Sequence, residues 1–153
     1  AIYAFSLGAD AVAFLDGDNW YAPTHIASLV GLHARTKAPV VVSFRNLVDL
    51  DGNLMGICRE SNGVTFSDTN CMFFTRRAAD VATSWWRIPP HLHAIDDRVI
   101  WARVLRAGYP IARTLEPTAN YRTAFRFHYE RTRRQVPKAQ SWATRASRSA
   151  TPS

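Results

Sequence analysis

Ala11-Val12-Ala13-Phe14-Leu15 is an unbroken apolar run that ends directly in Asp16-Gly17-Asp18. Successive side chains of a strand point to opposite faces, so a strand that is apolar throughout must be covered on both faces. A sheet packed on one face only would show polar residues at every second place. This run therefore demands helices above and below a sheet. The rest of the chain supplies strands and helices in alternation, which predicts an α/β fold with a mixed sheet and flanking helices.

Residues 2–7 have helix-like apolar spacing and stop at Gly8. Residues 16–23 read as a loop. Residues 24–34 place Ile26, Leu29, Val30 and Leu32 on one side of a helix, with Thr24 as its cap after Pro23. The Val-rich segment 39–44 predicts a strand, and residues 47–50 and 54–57 predict a hairpin around Asp51-Gly52-Asn53. A loop over 59–69, a strand over 70–75 and a helix over 76–85 follow, and Ile88-Pro89-Pro90-His91 breaks the pattern. Residues 96–107 predict a helix with Val99, Ile100, Val104 and Leu105 on one side, ended by Gly108 and Pro110. Segments 111–114 and 119–122 predict two short strands.

A chain of 153 residues, 47% hydrophobic and 12% aromatic, can bury a core of its own. No stretch reaches the roughly 18 consecutive apolar residues of a membrane-crossing helix. The N-terminal residues have no initiator Met and no charged leader region, and they read as a chain that starts mid-fold. Cys58 and Cys71 lack a CxxC spacing, are expected to be reduced and buried, and point to the cytoplasm. The formal charge of +7 is unevenly spread: Arg131, Arg133, Arg134, Lys138, Arg145 and Arg148 lie in a segment with no acid, and the body before it is close to neutral. Residues 131–153 therefore predict a basic, solvated, disordered tail. Its functional reading is a peripheral contact with an anionic membrane at its inner face, or with nucleic acid.

Two carboxylates at i and i+2 where a strand ends can face one ligand, and Gly17 between them lets that ligand approach the backbone. Open α/β sheets bind ligands beyond the carboxyl ends of their strands. Hard oxygen ligands suit Mg²⁺ or Mn²⁺. The competing reading of Asp16-Gly17-Asp18 is a polar turn, because all three residue types favour turns. A second acidic pair, Asp96-Asp97, opens the predicted helix over 96–107. Acids are favoured there by the helix dipole, and one Asp is enough to cap a helix. The other is then free to take a proton from an acceptor hydroxyl as general base. His128 offers itself as a third metal ligand, Trp20 as a platform for a sugar, and Arg122 as a phosphate contact. Each of these has a structural alternative in core packing or surface solvation.

Four segments stand in a telling order. Gly8 to Pro23, with its small-residue lead, apolar strand, Asp-x-Asp, aromatic residue and Pro, resembles the central signature of family-2 glycosyltransferases of the GT-A fold. Asp68 to Ala78 resembles that family's acceptor-side strand running into a helix through Arg76-Arg77. Asp96 to Tyr109 resembles its acidic-pair helix ending in Gly108, and Asn120-Tyr121-Arg122 its closing Tyr-Arg element. The resemblance covers residues 1–130. It implies a partial GT-A domain that transfers a sugar, with inversion, from a nucleotide-diphosphate donor to a saccharide, lipid or protein acceptor, with Mn²⁺ or Mg²⁺ as cofactor and no specific nucleic acid as partner.

On that resemblance Asp18 binds the metal, Asp16 assists through the ribose or the metal's water shell, and Asp97 is the general base. Asp96, Trp20, Asn70 and Arg122 would contact donor or acceptor. The family's N-terminal βαβ half, which holds the nucleotide base, has no counterpart here, so the expectation is a domain incomplete at its N-terminus, either a fragment that can be inactive alone or half of a site that another chain completes. Where the family often places a His two residues after Tyr-Arg, this chain has Ala124, and His128 would stand in for it.

Phe14-Leu15-Asp16-Gly17-Asp18 followed by Val40-Val41-Val42-Ser43 also resembles haloacid-dehalogenase-type phosphotransferases, in which Asp16 would be the nucleophile and Asp18 the acid/base. That chemistry calls for Thr or Val two residues after Asp18, where this chain has Trp20. It also calls for a Lys before the final acids, and none lies between Lys37 and Lys138.

Overall fold

The structure, a computed structural model, describes residues 1–137, so residues 138–153 of the predicted tail lie outside the described residues. In chain order the elements are α1 (Ile2–Ser6), β1 (Ala11–Ala13), β2 (Trp20–Tyr21), α2 (His25–Thr36), β3 (Val40–Val48), β4 (Leu54–Ile57), β5 (Met72–Thr75), α3 (Ala79–Ala82), α4 (Asp96–Ala107), β6 (Ile111–Arg122) and α5 (Arg126–Arg131). The fold is mixed α/β with one curled mixed sheet, in the order β1-β5-β3-β6-β2. Strand β5 runs antiparallel to both β1 and β3, β6 runs parallel to β3, and β2 is antiparallel to β6.

The apolar strands are covered on both faces, as their composition requires. Along β3 and β5 the side chains alternate: Val40, Val42, Met72 and Phe74 join Ile100, Trp101 and Val104 of α4 and Val81 of α3 in one core. Val41, Phe73 and Ala112 pack with Leu29 of α2 on the opposite face. Each fully buried Val, Leu or Ile contributes roughly 1.5–3 kcal/mol relative to exposure. These two layers hold the sheet between α2 and the α3–α4 pair.

Strand β3 is the spine. Its β6-facing edge is paired from Val40 to Val48, whereas its other edge is divided: β5 takes Val40 to Val42 and β4 takes Asn46 to Val48. The sheet forks between them, at Ser43 to Arg45. A third core, Leu47, Met55, Cys58 and Tyr129, closes the β4 side of the fork under α5.

Several boundaries differ from expectation. Strand β1 stops at Ala13, and residues 14–19 leave the sheet, so strand alternation does not orient Asp16 and Asp18. Segments expected as separate at 39–44 and 47–50 are one nine-residue strand, β3. The two short strands expected at 111–114 and 119–122 are one twelve-residue strand, β6. Its pairing with β3 shifts register around Phe44 and Pro117, and Leu115 has φ 60, so an irregularity within one strand accommodates Pro117. The expected helix over 76–85 is divided into a 3-10 turn at Arg76–Ala78, α3, and a second 3-10 stretch at Ser84–Arg87. Thr24 occupies the N-cap of α2 but makes no side-chain capping bond. Gly108 ends α4 in the left-handed conformation, φ 68, as expected.

Cys58 and Cys71 are free and buried. Among the described residues, no helix is long and apolar enough to cross a membrane.

Candidate functional site

Beyond the carboxyl end of β1, the chain makes a tight turn in which the Asn19 N–H donates to the Asp16 carbonyl at 3.1 Å. The turn reading of Asp16-Gly17-Asp18 is thus realised in the backbone, and it leaves the Asp16 and Asp18 side chains exposed. Asp16 is fastened from the β5 side. Asn70 Oδ1 accepts the Asp16 N–H at 2.8 Å, and Asn70 Nδ2 donates to Asp16 Oδ2 at 2.8 Å. The same Nδ2 donates to Asp68 Oδ1 at 2.8 Å, and the Asn70 N–H donates to that oxygen at 2.9 Å.

Asp68 is buried and forms an ion pair with the buried Arg45 of β3. The Arg45 guanidinium also stacks on the Tyr121 ring of β6, with its carbon 4.0 Å from the ring centroid. Burial pulls this guanidinium toward losing its proton, but the Asp68 carboxylate and the Cys58 thiol beside it outweigh that and hold it above its ordinary value. Burial first, and then the charges of Asp68, Asp18 and Asp97, push Tyr121 up to about 12, with Arg45 opposing. A chain of contacts thus runs Asp16–Asn70–Asp68–Arg45–Tyr121 across four elements, along the floor that the sheet fork opens.

Above that floor is an open cavity of about 630 Å³. Asp16, Asp68, Asp96 and Asp97 line it together with Arg45, Glu60, Trp85, Tyr121, Phe125, Phe127 and His128. It thus brings together the expected residues Asp16, Asp96, Asp97 and His128, from the β1 turn, the start of α4 and α5. Asp18 lies in the same turn as Asp16 but does not line the cavity. Trp20 and Arg122 sit beside each other outside it, the Arg122 guanidinium carbon 5.5 Å from the Trp20 ring centroid, and the Arg122 N–H donates to Asn19 Oδ1 at 2.8 Å. Asn70 is buried, with its amide engaged by Asp16 and Asp68, so it holds the site together from beneath.

The carboxylates outnumber the cations around the cavity, and the titration behaviour reflects it. Although Asp16 is exposed as a residue, the protein around its carboxyl group strips away part of its water. This first, and then the charges of Asp68, Asp18 and Asp96, holds it above the ordinary carboxylate value, with the Asn70 bond opposing. Asp97 is held up by burial and by Asp68 and Asp96, with the Arg98 N–H and guanidinium pulling the other way. Neither Asp of the α4 pair caps the helix: the N-cap is Ile95, with no side-chain cap bond. Asp97 Oδ1 instead accepts its neighbour's N–H, that of Arg98, at 2.7 Å.

The donor set of Asp16 and Asp18 fits a hard divalent cation: all oxygen, exposed, and with the further carboxylates Asp68 and Asp96 acting on Asp16. His128 does not complete it. Among the described residues, one group of three potential ligand atoms converges within 4.8 Å, and it comprises Cys58, Glu60 and His128. Asp16, Asp18 and His128 form no such group. Burial and Arg45 hold His128 below its ordinary value.

Arg45 and Glu60 were not singled out from the sequence, and Asp68 and Tyr121 entered only as parts of family-like segments, without a role at the site. The one available signal was the isolated Arg45 inside a strand of otherwise small and apolar residues, a charge that needs a buried partner. Comparison with known families and with curated proteins finds no family model and no relative that matches this chain.

Proposed function

We propose that this chain carries the metal-binding and acceptor-activating part of an inverting, family-2-like glycosyltransferase of the GT-A type, acting on a nucleotide-diphosphate sugar. The observation that carries the reading is the pairing, across one cavity, of Asp16 on the β1 turn with Asp97 at the head of α4. An acid-lined cavity repels a diphosphate, and a divalent cation removes that repulsion. Asp16 and Asp18 would hold Mn²⁺ or Mg²⁺, which when bound supplies Lewis-acid stabilisation to a departing diphosphate.

The residues of the chain do the rest. Asp97, with its proton affinity raised by burial, is suited to take the proton of an acceptor hydroxyl. Asp96 beside it accepts hydrogen bonds from other hydroxyls of the acceptor. Trp85, Phe125 and Phe127 offer flat apolar faces on the cavity wall for a sugar ring. The bond between Asn70 and Asp16 fixes the carboxylate in advance, so less ordering remains to be done when donor binds. The mixed sheet, with the acidic turn beyond the carboxyl end of β1, is compatible with a GT-A domain.

The test is Mn²⁺ binding by electron paramagnetic resonance, with and without nucleoside diphosphates and their sugar conjugates, followed by product analysis. Mn²⁺ uptake that rises with a nucleoside diphosphate and is lost in Asp18→Asn supports the reading. Uptake unchanged in Asp18→Asn removes the proposed metal site, and transfer unchanged in Asp97→Asn removes the proposed base.

A further inference from the structure

The sheet fork has a second tenant. Cys58 follows β4 directly, Glu60 lies two residues on, and His128 sits in α5, about seventy residues away in the chain. We propose that Cys58, Glu60 and His128 form a binding site for a zinc-class divalent cation, distinct from the oxygen-rich pair Asp16 and Asp18.

One potential ligand atom from each of the three lies within 4.8 Å of the other two. Thiolate, imidazole and carboxylate together are the donor set of zinc-like ions and a poor set for Mg²⁺ or Ca²⁺. Two negative ligands and one neutral one would balance a divalent charge. Cys58 and His128 are 2% and 6% exposed, so water competes little for either. A cavity of about 300 Å³, lined by these three residues together with Phe127 and Thr132, leaves room for a fourth ligand such as water.

The surroundings hold each donor ready. His128 Nδ1 is bonded to Thr123 Oγ1 at 2.7 Å, leaving Nε2 as the free ring nitrogen. Thr123 is itself fixed: its N–H donates to the Val48 carbonyl at 3.0 Å, and its own carbonyl accepts from Tyr129 Oη at 3.0 Å. Arg131 donates to Glu60 Oε1 at 3.2 Å and leaves the second carboxylate oxygen available. The Arg45 guanidinium lies beside the Cys58 sulfur, and its Nε is buried without a hydrogen-bond partner. A bound ion would tie α5 to the end of β4.

The experiment is titration of the reduced, chelator-stripped chain with Co²⁺ alone, read by absorption, then displacement with Zn²⁺. One Co²⁺ per chain should bind with a thiolate-to-cobalt charge-transfer band, and Zn²⁺ should abolish it. Cys58→Ser should remove the band while circular dichroism stays that of the metal-free wild type. Glu60→Gln, at a half-exposed position that the fold tolerates, should weaken binding. Thr123→Val should weaken it by about 10–100-fold through the loosened His128 ring. Asp18→Asn should leave the band at full strength, which separates this site from the proposed donor site. Absence of the band in folded wild type overturns the proposal, as does a band that survives Cys58→Ser or disappears in Asp18→Asn.

Discussion

Asn70 grips Asp16 at two points: its carbonyl oxygen takes the Asp16 N–H and its amide nitrogen gives a hydrogen bond to Asp16 Oδ2, each at 2.8 Å. The 3-10 turn Thr69–Cys71 at the head of β5 therefore sets the position of the β1 turn, although 54 residues separate the partners. Asn70→Ala removes both bonds and leaves Asp68 short of a donor. The expected cost is about 1–3 kcal/mol in denaturant unfolding with an unchanged slope. Because the Asn70 bond lowers the Asp16 proton affinity, the variant's Asp16 should also titrate at higher pH by carboxyl NMR.

Asp97 is costly to the fold in its charged form. Its folded value lies above the ordinary 3.8, so the folded state binds the proton more tightly than the unfolded state, and stability falls as pH rises through that interval. Asp97→Asn should therefore melt above wild type at neutral pH, and the gap should close as pH falls toward 3.8. The same change should lower sugar transfer by about 10²–10⁴-fold. An unaltered difference in Tm from neutral to acid pH would contradict the assigned environment.

His25 presents the opposite sign. It is fully buried, stacks on Tyr21 with ring centroids 3.7 Å apart, and bonds Thr118 Oγ1 through Nδ1 at 2.7 Å, while Nε2 has no partner. Burial holds it down at about 4, against an ordinary 6.5. Its neutral form is the folded form, so stability is complete above 6.5 and is lost as pH falls from there toward about 4. The shift corresponds to at most about 3 kcal/mol. His25→Phe keeps the stack and removes the titration, and its stability should vary less over that pH range.

Gly63 has φ +64 and no room for a methyl group: a Cβ there would stand 2.5 Å from Val42 Cγ2. The 59–69 loop thus lies close against Val42 of β3 at Gly63. Gly63→Ala should cost about 1–3 kcal/mol, combining overpacking with left-handed strain. Adding Val42→Ala should recover part of the loss in a double-mutant cycle, since the two changes share one clash.

The layered architecture was legible because β1, the stretch Val40 to Val42 of β3 and the stretch Met72 to Phe74 of β5 are apolar throughout, and α2 and α4 carry their apolar residues at helical spacing. Gly108 marked the end of α4 correctly for the same local reason. What escaped the sequence depends on partners far away in the chain. Residues 111–114 and 119–122 looked like two short strands because a strand with an irregular register cannot be told from two short ones without its neighbour β3. Asp68 looked like loop polarity, since nothing local shows that Arg45 needs it. Asp16 and Asp97 could be named as acids, but their shared cavity exists only because the fork in the sheet brings the β1 turn, β3 and α4 to one opening. His128 could be named as a candidate ligand, but only folding brings Cys58 and Glu60 to it.

The divided edge of β3 also has a mechanical meaning. Strands β4 and β5 each hold their own stretch of β3, and the β4 corner has a core of its own under α5. Hydrogen bonds in one stretch do not depend on the other. The molecule is built as a firm plate carrying a detachable lip: amide protons of Leu54 to Ile57 and of α5 should exchange early, while those of Val40 to Val42 persist until the whole chain unfolds. Part of the cavity wall, His128 and Phe127 of α5, belongs to the lip, and its acidic turn at Asp16 belongs to the plate.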